Sequence, residues 1–183
     1  MIKTDGTLYD GQWLEGLAHG FGTYLHKNEF KYVGYWYQEK MHGMGYEESK
    51  SGTSYEGQYF MDKKNGKGKF VYPDQSEYKG EFIENNLHGK GTYTYKDGRS
   101  YTGDWVVNKK EGRGTQVWPN GKIYEGHFVN DKKEGFGIMK YPDGKIYEGG
   151  WKNGKFHGEG VYTNAEGVQK RGEWRNGIKQ KKK

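Results

Sequence analysis

Six histidines are the residues of this 183-residue chain best suited to metal binding or to proton transfer near neutral pH. Four of them, His19, His42, His88 and His157, stand at one position of a 23-residue pattern, ten residues after a tyrosine. Paired lysines recur as well: Lys63-Lys64, Lys109-Lys110 and Lys132-Lys133 occupy one position of that pattern, and Lys181, Lys182 and Lys183 close the chain. A row of cations of this kind suits anionic lipid headgroups. The chain has no cysteine and so no thiolate ligand. It also lacks a Gly-x-x-x-x-Gly-Lys-Ser/Thr phosphate loop, His-Glu-x-x-His, Gly-x-Ser-x-Gly and an Asp-x-Asp-x-Asp-Gly calcium loop. Its carboxylates are spread at repeat-related positions and do not converge. We expect no catalysis, no metal and no cofactor.

The pattern that sets these spacings is Tyr-x-Gly-x-aromatic, which starts at Tyr9, Tyr32, Tyr55, Tyr78, Tyr101, Tyr124 and Tyr147, each step 23 residues long. An eighth, partial copy begins at Lys170 and keeps Gly172 and Trp174. A fixed period of 20 to 50 residues marks a repeat architecture. Tyr101, Gly103 and Trp105 alternate with polar residues, as do Gly89, Gly91, Tyr93 and Tyr95. Period two is the signature of half-buried strands. Polar segments such as Val107 to Glu111, and Pro119-Asn120-Gly121 between units, carry turn chemistry. Each unit therefore predicts a β-hairpin. Of the 32 glycines, 28 hold one of four fixed positions, which predicts that the Gly-x-Gly pairs make room for aromatic rings of an adjacent strand. The expectation is an all-β, single-layer, twisted antiparallel sheet, about 70 Å long if fifteen strands lie roughly 4.8 Å apart, and therefore an elongated rod. Equivalent histidines then sit roughly 10 Å apart, too far to share a zinc whose ligands lie about 2 Å away.

These residues carry a family resemblance. Tyr-x-Gly-x-Trp, a polar loop and His/Asn/Glu-Gly-x-Gly on a 23-residue period resemble the MORN (membrane occupation and recognition nexus) repeat over about residues 5–177. The resemblance implies an extended antiparallel sheet, self-association and scaffold roles in cytoskeletal, ciliary and membrane-associated assemblies, radial spoke heads among them. Tyr59, Phe82 and Phe128 stand where Trp is usual, and Asn65, Glu111 and Glu134 where His is usual. The organisation expected is one repeat domain over 1–177 followed by a basic tail over 178–183.

Composition bounds the function. Mean hydropathy is −1.22, yet 17% of residues are aromatic, which argues for an ordered sheet rather than disorder. The formal charge of +6 includes Lys179, Lys181, Lys182 and Lys183, so 26 cations face 24 carboxylates elsewhere, a poor match to nucleic acid. No apolar run suffices for a membrane span or a signal-peptide core, which gives an intracellular expectation: cytoplasm, cytoskeleton or cilium axoneme. On the face opposite the rings most units are polar, but Phe21, Val33, Tyr35, Met44 and Tyr46 are not, and neither are Phe136, Ile138 and Val161. A contiguous apolar patch marks a partner. The leading reading is a non-enzymatic scaffold that binds proteins of a cytoskeletal or ciliary complex and pairs with a second copy through an end or an apolar face. The alternatives are a peripheral adaptor that binds anionic phosphoinositides through the lysines, and an accessory subunit of an enzyme.

Overall fold

The computed structural model describes residues 6–27 and 29–181. Its contacts gather into two compact units that meet in sequence between Lys96 and Asp97. The first holds β1 (Thr7–Leu14), β2 (Leu17–His26), β3 (Phe30–Tyr37), β4 (Lys40–Ser49), β5 (Ser54–Phe60), β6 (Lys63–Val71), β7 (Glu77–Ile83) and β8 (Asn86–Thr94). The second holds β9 (Ser100–Val106), β10 (Lys109–Val117), β11 (Ile123–Val129), β12 (Lys132–Lys140), β13 (Ile146–Lys152), β14 (Lys155–Thr163), β15 (Gln169–Arg175) and β16 (Ile178–Lys179). Each unit is an open antiparallel sheet in which every strand pairs with its neighbours in sequence. The expected all-β sheet of 23-residue hairpins is what forms. Among the described residues no helix is long and apolar enough to cross a membrane.

Register follows from the glycines. Gly57 pairs with Gly68 and Gly80 with Gly91, and the repeat tyrosine lies over the glycine pair of its own hairpin. A Cβ added to Gly68 would lie 2.5 Å from the Tyr55 ring, closer than real side chains pack. The tyrosine hydroxyl then donates to the carbonyl three residues on: Tyr55 to Gln58 at 2.9 Å, Tyr101 to Asp104 at 3.0 Å. Burial and a satisfied hydroxyl coincide, so Tyr serves where Phe would leave the bulged carbonyl unpaired.

Edge-to-face contacts link the hairpins. Tyr55 meets Tyr59 of its own hairpin at 5.2 Å and Phe82 of the next at 5.1 Å, and Tyr124 meets Phe128 and Trp151 in the same way. Both tyrosines thus contact two rings, and the ring quadrupole favours the perpendicular arrangement. Trp36 and Trp151 add a bond from the indole N–H to the carbonyls of Gly22 and Gly137.

Three expectations are corrected here. Only the second glycine of each Gly-x-Gly lies under a ring. The first, Gly89 for example, sits at a β-bulge with φ of +59°. That left-handed backbone selects glycine there, and the Glu81 side chain closes the space a Cβ would need. The loop expected over Val107 to Glu111 is also shorter: β9 runs to Val106, β10 resumes at Lys109, and Val107 and Asn108 alone make the turn, both with positive φ. Two such residues are the geometry of a tight hairpin whose twist matches the strands. Lys179, expected in the basic tail, lies in β16, where Ile178 pairs with Arg175, and the Gln180 N–H reaches the Glu173 carbonyl at 2.8 Å.

Candidate functional site: an apolar outer face

Strand alternation sends the aromatic ladder to one face of the first unit and leaves the other to solvent. On that outer face β2, β3 and β4 bring the N-terminal apolar residues together. Phe21 lies directly opposite Tyr35 and their rings touch edge to face at 5.5 Å. Val33 lies opposite Tyr46, and Met44 projects from β4 two residues before Tyr46. Phe21, Tyr35 and Met44 are about half exposed, at 49, 52 and 52%. The Tyr46 hydroxyl donates to Glu48 at 2.9 Å, which fixes one rim of the patch and, with burial, raises the pKa of this phenol.

The patch is wider than the alternation of apolar residues suggests. Leu14, Tyr37, Phe60 and Ile83, each five residues after a repeat tyrosine, are exposed at the hairpin tips. His42 lies between Tyr37 and Phe60, at 5.7 and 5.3 Å, and His19 lies against Tyr37 at 5.4 Å. His19 and His42 are therefore packing groups of an aromatic row. Among the described residues no three His, Asp or Glu side chains cluster as metal ligands. The signal for the row was present in the sequence as an apolar residue at one fixed position. It was hidden because that position alternates onto the face assigned to water.

The second apolar cluster is less continuous. Phe136, 56% exposed, faces Gly150 and so is left uncovered, whereas Ile138 and Val161 flank the acidic Glu148 from either side.

Sequence comparison agrees with this repeat geometry. The MORN repeat model matches residues 9–28, 32–54, 55–77, 78–98, 101–123, 124–146, 147–169 and 171–180. The chain belongs to the MORN repeat family. No curated protein matches it. Among solved structures, the TCP domain of SAS-4 (dCPAP) of Drosophila melanogaster, in complex with a proline-rich motif of Ana2 (dSTIL), superposes with a TM-score of 0.54 at 11% identity, covering 94% of this chain and 93% of that one. The TCP10 domain of Danio rerio CPAP, in complex with a peptide of Danio rerio STIL, gives 0.48 at 14% identity, covering 99% and 92%. The first likeness shows a shared fold.

The lysines of this MORN chain do not form one basic edge. Within each pair the first side chain is exposed and the second turns to the ring face, because adjacent strand residues point to opposite sides. Lys64 is half-buried against Glu47 at 2.6 Å, Lys110 is buried over Tyr101, and Lys133 stands among rings. Of the exposed set, Lys63 pairs with Glu84 at 3.2 Å, while Lys109 and Lys132 donate to Asn130 and Asn153. Lys181 is exposed, and Lys182 and Lys183 lie outside the described residues.

Proposed function

We propose that this MORN protein is a non-enzymatic scaffold that docks another protein on the outer face of β2–β4. The observation that carries the reading is the exposed apolar surface of Phe21, Tyr35 and Met44, with Tyr37 and Phe60 exposed at the tips; the fold does not require the first three, since equivalent positions elsewhere hold Gln58 and Lys67. Tyr, Phe and Met are residue types enriched at interfaces. The fly protein of like fold is bound to a proline-rich motif of another protein, which supports a sheet of this kind as a peptide platform. In this reading the assembly is cytoskeletal, and its narrower forms are the ciliary axoneme, a radial spoke and a homodimer formed through the same patch.

The test changes Tyr35→Gln, Met44→Lys and Tyr46→Thr together, types taken from other units. The variant is expected to melt close to the parent and to lose roughly 2 kcal/mol or more of binding to partners captured from the native cell. A melt far below the parent would place the cluster in the core, and normal binding would make it ordinary surface. Phosphoinositide binding retains Lys109 and Lys132 as its best residues, since among the described residues their ammonium groups meet the Asn130 and Asn153 amides and no carboxylate. Vesicle co-sedimentation that collapses with added salt is the outcome expected of that alternative.

A further inference from the structure

The position nine residues after each repeat tyrosine points into the ring face. It holds Met41, Leu87 and Phe156 in three hairpins, so the fold accepts an apolar side chain there. Lysine at this position needs another reason. In the first unit the reason is visible: the Lys64 ammonium lies 5.1 Å from the Tyr55 ring and is neutralised by Glu47 at 2.6 Å, both side chains about 15% exposed. Glu47 stands fifteen residues after its tyrosine, on the hairpin that precedes Lys64.

Lys133 repeats the lysine without the carboxylate. Its ammonium sits 4.6 Å from the Trp118 ring and 5.0 Å from both Tyr124 and Trp151, a three-walled aromatic seat. The residue that corresponds to Glu47 is Gln116. Among the described residues no carboxylate forms an ion pair with Lys133, and the charged groups that act on it are two further cations, Lys110 and Lys122. The Lys122 ammonium lies over Tyr141 at 5.5 Å, which extends the cationic, aromatic surface.

We propose that Lys133, with Trp118, Tyr124 and Trp151 as its walls, receives a carboxylate side chain from a partner polypeptide, which neutralises it as Glu47 neutralises Lys64. Burial, then Lys110 and Lys122, push the Lys133 ammonium down to about 8, so without a carboxylate the site disfavours its own charge and an incoming anion restores it. The incoming group is a carboxylate because a carboxylate, Glu47, is what meets the equivalent Lys64 inside this molecule. The site lies on the ring face of the second unit and is independent of the apolar docking patch.

The test uses the full chain and a capped hexaglutamate peptide, with hexaglutamine, inorganic phosphate and phosphatidylserine vesicles as comparison probes. Tryptophan fluorescence follows binding, and NMR follows the titration of the Lys133 ε-methylene. Hexaglutamate is expected to raise the Lys133 pKa by about one unit or more, a tenfold gain for the charged form, while hexaglutamine leaves it in place. Lys133→Met, which copies Met41, is expected to fold and to lose about tenfold in hexaglutamate affinity. Gln116→Glu supplies the carboxylate internally, so it is expected to raise the melting temperature and to block the peptide. The proposal is overturned if hexaglutamate does not bind, if either variant binds it as the parent does, or if phosphate or vesicles shift Lys133 as far as the peptide. The triple variant of Tyr35, Met44 and Tyr46 should bind hexaglutamate normally, which separates this site from the outer-face reading.

Discussion

Tyr78 lies over Gly91 so closely that a Cβ on the glycine would overlap the tyrosine ring and hydroxyl, while Gly91 itself faces Gly80 across the ladder. One side-chain atom is therefore all that separates a sealed hairpin from a broken one. Gly91→Val is expected to cost about 3 kcal/mol or more through overpacking, whereas Thr92→Val, on the other face, stays within about 0.5 kcal/mol. Equal losses in thermal unfolding would show that the two faces are reversed. Gly89→Ala should fail for a different reason, its φ of +59°, at about 1 to 3 kcal/mol.

The ring ladder sets the alkaline limit of the fold. Burial pushes the Tyr147 phenol up to about 12, and Tyr32, Tyr55, Tyr78, Tyr101 and Tyr124 further, chiefly by desolvation. In the unfolded chain these phenols ionise near 10. Their contribution is fully present below that pH and is lost as pH climbs toward the folded values. Lys133 acts in the opposite sense: folded near 8 and unfolded near 10.5, it adds stability as pH rises across that interval. Melting temperature should hold or rise from pH 8 to 10 and then fall steeply, and Lys133→Met should remove the rise. A flat profile up to pH 12 would contradict buried phenols.

Val107 occupies the first place of a two-residue turn at φ of 45°, where the other hairpins carry residues such as Asn130 and Asn153. A β-branched side chain is strained in the left-handed region, and asparagine tolerates it. Val107→Asn is expected to stabilise the protein by about 1 kcal/mol, read from the chemical-denaturation midpoint at constant slope. A loss of stability would mean that Val107 is held by packing this turn does not show.

Consecutive hairpin tips are tied by a reciprocal pair of bonds. The Asp131 N–H donates to the Lys110 carbonyl at 3.1 Å, and the Asp131 carboxylate accepts the Lys110 N–H at 3.0 Å. Asp62 with Met41 repeats the arrangement in the first unit. Asp131→Ala keeps the first bond, loses the second and leaves a part-buried N–H unpaired, for a loss of about 1 to 2 kcal/mol. Asn should restore most of it, since Asn85 does the same work for Lys64. Hydrogen exchange at the Lys110 amide is the measurement, and unchanged protection in the alanine variant would rule the tie out.

The sequence by itself determined the hairpins, their period and their register. Tyr, Gly and aromatic residues repeat at intervals of two, and only one face of a strand can bury such rings, so the pairing of Gly80 with Gly91 was implicit in the spacing. It also singled out the centre of the outer patch, because Phe21, Tyr35 and Met44 break a polar rule that most copies keep. Tertiary structure decided what a local pattern cannot carry. Lys63 and Lys64 read as one basic pair, yet one reaches solvent and Glu84 while the other is half-buried beside Glu47, seventeen positions earlier in the chain. The partner that neutralises a buried charge comes from the neighbouring hairpin, and sequence adjacency says nothing of what lies 5 Å away across a sheet. The same holds for the seat of Lys133, whose three walls come from three different hairpins, and for the row of His19, Tyr37, His42 and Phe60, which exists only because hairpin tips stack at a constant spacing.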